Sequence, residues 1–338
     1  MSTTRSCLRT SSSSRGSPSE RATLNSARAD AVSTRSTRSP PVRRTPSPLS
    51  AGIYVPTLAQ QVVLNNNAGA TPKINLQGIA VGNRCLGLNI GVCAFDYRNE
   101  LNTNMPFFVG HGLISPVTYK AVTTDCDPNA AGPSAACQTD FDTAHAEIGN
   151  VNIYNIYGDC VTGREARVDK VSGQRMYSKA PVALKSGGPV ECIDETIAQY
   201  IGRADVAAAL NVIPFNNWQV CGSNSSFNYI RTELDERVDV YPTIWGAKVR
   251  VLIYNGEADA CVPWIDNEMW TRSLNFSVAA PWTAWESEGQ VAGYLTQYTS
   301  PSGSSFDFAT VKGAGHMVPQ VRPTQAFTLI STFLSGGL

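Results

Sequence analysis

A run of nearly all-apolar residues at 249–254 most constrains how this 338-residue chain can fold. A strand of this kind is typical of a parallel sheet that is buried on both faces. Residues 74–81 and 306–311 are two further predicted strands, while residues 54–63 and 323–334 carry apolar side chains at helical spacing. Strands that alternate with helices predict an open α/β sheet.

Residues 1–50 differ in composition from the rest of the chain. They contain 14 Ser, 7 Thr and 9 Arg, with no aromatic residue and a net charge of +7, whereas the remainder has 18 basic and 25 acidic residues. So little apolar surface cannot offset the entropy lost on folding, so we predict a disordered N-terminal tail. The composition is typical of an organellar transit peptide, but non-coding DNA translated through a wrong gene model would also produce it.

The charge and hydropathy of the whole chain exclude two classes of protein. The 27 Lys and Arg balance the 27 Asp and Glu, which argues against a nucleic-acid-binding protein. No apolar run reaches about 18 residues, so we predict no membrane span.

The strongest chemical signal is a histidine between the last predicted strand and the last predicted helix. Gly313 and Gly315 lie in the same loop just before His316, and they leave its backbone free to adopt unusual conformations. Asp259 follows the strand at 249–254, at the sheet edge where open α/β folds place reactive groups. Each residue alone has a simpler interpretation, as a structural His or as an Asp in an ordinary turn. Together they match the Asp…His part of the order found in α/β-hydrolases.

Six motifs of residues 51–338 occur in the order and register of one enzyme family. They are Ala51-Gly52-Ile53-Tyr54-Val55-Pro56, Gly78-Ile79-Ala80-Val81-Gly82-Asn83, His111-Gly112-Leu113-Ile114-Ser115, Trp218-x-x-Cys221, Asn255-Gly256-Glu257-Ala258-Asp259-x-x-Val262-Pro263, and residues 313–319 followed by Arg322-Pro323. By these motifs residues 51–338 resemble the serine carboxypeptidases, a secreted, vacuolar or lysosomal family of α/β-hydrolases.

This resemblance implies a fold, a reaction and a set of site residues. The fold is expected to be an incomplete α/β-hydrolase sheet with a helical, disulfide-bearing cap inserted at about 84–245. The family releases C-terminal residues from peptides, with His316 as general base and acid, Asp259 as the orienting carboxylate and Met317 beside the pocket for the departing residue. The implied partners are peptide substrates, and the resemblance implies neither a metal nor an organic cofactor.

The N-terminal end of the resemblance departs from the family pattern. Counted back from Ala51, the family's Gly-Glu-Ser-Tyr would fall on residues 47–50, which puts Leu49 at the nucleophile and Pro48 at the Glu that helps bind the substrate carboxylate. Ser50 is one residue out of register, and the family's upstream Asn-Gly-Gly-Pro-Gly segment has no counterpart. We therefore expect this chain to be inactive as written. If a wrong exon boundary is the cause, the transcript encodes Gly-Glu-Ser-Tyr directly before Ala51.

Two other functions remain open at this point. Plant members of the family use the same triad to transfer acyl groups from glucose esters. Alternatively, the chain is a pseudo-hydrolase that is kept for binding.

The cysteines predict an oxidising compartment. Closely spaced cysteines in loop-rich sequence favour local disulfides, and we expect Cys85–Cys93, Cys126–Cys137 and Cys160–Cys192. Asn224 and Asn275 begin glycosylation sequons. Together with the resemblance, these features predict a secreted, vacuolar or lysosomal protein, although no signal peptide is visible in the chain.

Overall fold

The computed structural model describes residues 51–85, 91–94, 97–149, 151–158, 167–168, 175–176, 199–213 and 238–338. Several predictions lie outside these residues: the disordered tail, the positions of Pro48, Leu49 and Ser50, the Cys160–Cys192 pair, and the sequon at Asn224.

The strands of the described residues form a five-stranded sheet and a separate two-stranded ribbon. They are β1 (Gly78–Gly82), β2 (Arg167–Val168), β3 (Arg175–Met176), β4 (Arg250–Gly256), β5 (Ser277–Ser287), β6 (Gln290–Thr299) and β7 (Ser305–Val311). In the large sheet the order is β1-β4-β7-β6-β5. Strands β1, β4 and β7 are parallel, and the β5–β6 hairpin extends the sheet in antiparallel fashion. The predicted α/β class is confirmed.

The helices of the described residues fall between and after these strands. They are α1 (Ala51–Asn67), α2 (Tyr97–Asn99), α3 (Met105–Gly110), α4 (Pro116–Asp125), α5 (Ala135–Ile148), α6 (Ala204–Ala209), α7 (Tyr241–Gly246), α8 (Trp264–Ser273), α9 (Val318–Val321) and α10 (Pro323–Ser335). A π-helical turn, Glu100–Asn104, joins α2 to α3, and a 3₁₀ turn covers Val92–Ala94.

Apolar layers cover both faces of the sheet. On one face α1 and α7 pack against alternate strand residues, including Val251, Ile253 and Phe308. On the other face α10 packs against residues of the opposite parity, including Leu252 and Ala309. Burial on both faces explains why the sequence of β4 is almost uniformly apolar.

Arg250 is the one charged residue of β4, and it is used at the sheet margin. Its Nη1 donates a 2.6 Å hydrogen bond to the carbonyl of Phe333 in the last turn of α10. A cation at this position compensates the free carbonyls and the negative end of the helix dipole.

A second apolar cluster lies over the carboxyl end of β4. It consists of side chains from α3, α4 and α5 together with Ala260, Trp264 and Ile265, which follow β4. The disulfide Cys126–Cys137 joins α4 to α5, and Cys85–Cys93 closes the loop after β1. These are two of the three pairs expected from spacing. The extent of the cap, residues 84–245, remains a prediction because the structure describes only parts of it.

The structure differs from the predicted elements in two places. The strand expected at 74–81 begins only at Gly78, because both backbone groups of Ile74 bond to the Asn66 side chain instead of a neighbouring strand. The β5–β6 hairpin has no clear sequence signal, because most β5 side chains are exposed on both faces and the pairing shifts register at bulges.

Burial of Asp307 in β7 predicts that this residue destabilises the fold less at acidic pH than at neutral pH. Burial raises the pKa of Asp307 to about 6, although a hydrogen bond from Ser305 partly opposes the shift. Because the folded pKa lies above the unfolded one, the ionised carboxylate weakens the fold above pH 6, and this loss disappears as the pH falls from about 6 to 4. We expect Asp307→Asn to raise the free energy of unfolding at pH 7.5 by about 2–3 kcal/mol and to change it much less at pH 4.

Urea denaturation at the two pH values measures this difference. The exposed Asp239 is the matched control, because Asp239→Asn should change stability little at either pH. Equal effects of Asp307→Asn at both pH values would contradict the prediction.

Candidate active site

The carboxyl ends of β4 and β7 bring Asp259 and His316 together. The Nδ1 atom of His316 lies 2.7 Å from the Oδ2 atom of Asp259. The Asp259 side chain is fully buried, whereas one fifth of the His316 side chain is exposed. With Asp259 ionised, this bond holds the proton of a neutral imidazole on Nδ1 and leaves Nε2 as the basic nitrogen. An imidazole fixed in this tautomer can act as a general base.

Two more hydrogen bonds stabilise the Asp259 carboxylate in its buried position. The Asn83 amide donates to Oδ2 at 2.7 Å, and the backbone N–H of Cys261 donates to Oδ1 at 2.9 Å. With His316, the carboxylate therefore accepts three hydrogen bonds. A buried charge needs such partners, because it has lost those that water would supply.

Asn83 is the residue of this site that sequence analysis missed. It directly follows β1 with φ of +39°, a backbone conformation that Asn tolerates better than most residues. Its Oδ1 accepts the Gly256 N–H at 3.0 Å while its Nδ2 holds Asp259. The Gly82-Asn83 motif marked only the end of a strand, because the partner of the amide lies 176 positions away in sequence.

Two glycines allow the loops of the site to touch. A Cβ atom on Gly256 would overlap the carbonyl oxygen of Gly315, and a Cβ atom on Gly315 would overlap that of Tyr154. Tyr154 also accepts a 2.6 Å hydrogen bond from the N–H of His316, and its ring lies edge-on to the imidazole at 5.4 Å. The segment 151–158 thus holds the backbone and the ring of His316 in place through Tyr154.

Met317 follows His316 directly in the chain, and the start of α1 lies near the Asp–His pair in space. Met317 precedes α9, and the residue is 48% exposed. A Cβ atom on Gly52, in the first turn of α1, would lie 2.8 Å from the Cβ atom of Arg84. Because Arg84 directly follows Asn83, α1 begins at the same sheet edge as the Asp–His pair.

Among the residues that the structure describes, no three His, Cys, Asp or Glu side chains are grouped so that they could hold a metal ion. None of the helices in the described ranges is both long and apolar enough to cross a bilayer.

Comparison with known proteins identifies the family. Residues 50–336 match the family model for serine carboxypeptidases. The chain belongs to the serine carboxypeptidase family. Two similar members are serine carboxypeptidase-like 20 of Arabidopsis thaliana and serine carboxypeptidase 1 of Hordeum vulgare, each 30% identical over 85% of this chain. The chain spans 62% of the length of each of these relatives.

A solved carboxypeptidase has a similar fold. The crystal structure of a prohormone-processing carboxypeptidase from Saccharomyces cerevisiae superimposes with a TM-score of 0.50 at 15% identity, covering 85% of this chain and 60% of that one. This likeness shows the fold alone, and it confirms the α/β-hydrolase fold expected from the sequence.

Removing the Asn83 amide should destabilise the protein. Asn83→Ala leaves the buried Asp259 carboxylate with one partner fewer and the Gly256 N–H without its acceptor. We expect a loss of about 2–4 kcal/mol in the free energy of unfolding, measured by urea denaturation. The exposed Asn65, whose amide bonds to the Gln61 carbonyl, is the matched control. Asn65→Ala should cost less than about 0.5 kcal/mol, and similar losses in both variants would contradict the prediction.

Proposed function

We propose that Asp259 and His316 are the acid–base pair of a serine-type carboxypeptidase site, which acts on the last peptide bond of a peptide. The observation that carries this proposal is the 2.7 Å bond between a fully buried carboxylate and a partly exposed imidazole at adjacent strand ends. Membership of the serine carboxypeptidase family supports the choice of reaction.

His316 has two tasks in the proposed reaction. Its Nε2 takes the proton of an attacking hydroxyl and later returns it to the departing amine. Asp259 stabilises the imidazolium that forms between these steps. Met317, next in sequence and half exposed, is proposed to contact the departing residue.

The attacking hydroxyl is the group that this chain lacks. In the register of the family motif its position is taken by Leu49, whose side chain has no nucleophilic atom. Removing the nucleophile of a Ser-His-Asp enzyme lowers the rate by a factor on the order of 10⁶. We therefore propose that the chain as written is a carboxypeptidase homologue without meaningful peptidase activity.

A non-catalytic binding role is the second candidate. It is favoured by one combination: the Asp–His pair is fully formed, while the nucleophile position holds leucine. A pseudo-hydrolase of this kind would keep a shaped site without turnover. Acyl transfer from glucose esters uses the same triad, so it would also require the missing hydroxyl.

Activity assays on the purified chain test the proposed inactivity and the acyltransferase alternative. We expect no release of C-terminal residues from an N-blocked peptide, and no transfer from a glucose ester, above the rate of the His316→Ala variant. Activity that His316→Ala and Ser50→Ala both abolish would make Ser50 the nucleophile, and it would overturn the proposed inactivity. Activity confined to the glucose ester would favour the acyltransferase.

We further propose that the protein matures in the secretory pathway and resides outside the cell, in a vacuole or in a lysosome. The two disulfides fit an oxidising compartment. The raised pKa of Asp307 fits an acidic one, because acid removes its buried charge.

The sequon at Asn275 offers a test of this compartment. Asn275 is exposed in the turn between α8 and β5, and Ser277, the third residue of the sequon, is exposed as well. When the chain is directed through the secretory pathway of a eukaryotic cell, we expect a glycan at this position. Endoglycosidase treatment should then change its electrophoretic mobility, and Asn275→Gln should remove the part of the change due to this site. A variant with unchanged mobility would contradict the prediction.

A further inference from the structure

A second histidine–carboxylate pair shares with the first the loop that follows β4, and the proposed reaction does not use it. His111 follows α3, and its Nε2 lies 2.9 Å from the Oε1 atom of Glu257, two residues before Asp259. The other ring nitrogen, Nδ1, lies 2.8 Å from the carbonyl oxygen of Phe107. Only 10% of the His111 side chain is exposed.

The contacts of His111 favour its protonated form. A carbonyl oxygen accepts hydrogen bonds, and so does an ionised carboxylate. With Glu257 ionised, both ring nitrogens donate and the ring is an imidazolium. Burial favours the neutral ring, but the bonds to Glu257 and Phe107 outweigh it and raise the pKa of His111 above its ordinary value.

Glu257 also binds the loop that carries His316. Its second oxygen, Oε2, accepts the backbone N–H of Gly313 at 2.9 Å, three residues before His316. Its own N–H donates to the carbonyl of Val311 at the end of β7. The Glu257 carboxylate thus joins the helical region formed by α3, α4 and α5 to the loop that carries His316.

The charges that face this pair favour its ionised form. The hydrogen bond from His111 is the largest influence on Glu257 and lowers the pKa of its carboxyl, and Lys312 acts in the same direction. Tyr157 faces the pair as well, with its ring 6.4 Å from that of His111. Its own pKa is raised, first by burial and then by the Glu257 charge, so it stays neutral where the pair is ionised.

We propose that His111 and Glu257 are positioning residues that hold the 313–316 loop, and with it His316, most firmly while His111 is protonated. This inference rests on the proposed role of His316 as general base. The hold is complete at mildly acidic pH and is lost as the pH rises through the titration of His111. The pair would thus hold the 313–316 loop most firmly in an acidic compartment.

The chain contains a matched control for this proposal. His145 and Glu100 form a pair with the same 2.9 Å distance between Nε2 and Oε1. The second oxygen of Glu100 accepts a hydrogen bond from Asn104, within the π-helical turn, and not from the 313–316 loop. The two pairs share the His–Glu contact and differ in what the carboxylate holds. They also differ in exposure, since 44% of the His145 side chain is exposed against 10% of the His111 side chain.

NMR of the whole chain can test the proposal, because the chain has only three histidines. We expect both ring nitrogens of His111 to carry protons at pH 6, with a titration midpoint above the ordinary value of about 6.5. Glu257→Gln should lower that midpoint. His111→Gln should lower the protection of the Gly313 amide against hydrogen exchange roughly tenfold and should shift the His316 ring signals. His145→Gln should change neither.

Two results would overturn the proposal. One is a His111 that titrates at or below its ordinary value in the unaltered protein, which needs no variant that might fail to fold. The other is a folded His111→Gln protein with unchanged Gly313 exchange and unchanged His316 signals. Neither readout needs substrate or turnover, so a failed activity assay bears on the proposed function and leaves this test unaffected.

Discussion

The architecture of the site depends on the burial of one negative charge. Asp259 lies wholly out of water, and a carboxylate in such a place is tolerated only when neighbouring dipoles replace its hydration. Three elements supply them: the end of β1 through Asn83, the turn after β4 through the Cys261 amide, and the loop after β7 through His316. The carboxylate therefore links three neighbouring parallel strands at their carboxyl ends.

The sheet brings these elements together because its middle is buried on both faces. Strand β4 lies between β1 and β7, with Ile253 turned to the α1 side and Leu252 to the α10 side. Since the three strands run in the same direction, the loops that follow them emerge at one edge. The helical region then covers that edge through contacts of α3, α4 and α5 with residues that follow β4.

Local patterns predicted the features whose causes are local, and they missed those that depend on distant partners. The apolar run of β4 and the spacing of Cys126 and Cys137 are visible over a few residues, so the sheet and two disulfides could be expected. Asp259 and His316 lie 57 positions apart, and their pairing was expected from the order of α/β-hydrolases. The tasks of Asn83 and Glu257 could not be expected, because no such order marks their distant partners. Strand β5 was missed because its exposed side chains lack alternation, and the strand expected from residue 74 was too long because Asn66 binds the backbone of Ile74.

The crowding at Gly256 and Gly315 has a consequence for how such a site can vary. Where a side chain faces open space, substitution changes chemistry and leaves the main chain alone. Here even a methyl group would force two backbone segments apart, and a substitution would therefore change the distance between the carboxylate and the imidazole. Substitutions at Gly256 and Gly315 would thus disturb the geometry of the site, although neither residue supplies a reactive atom.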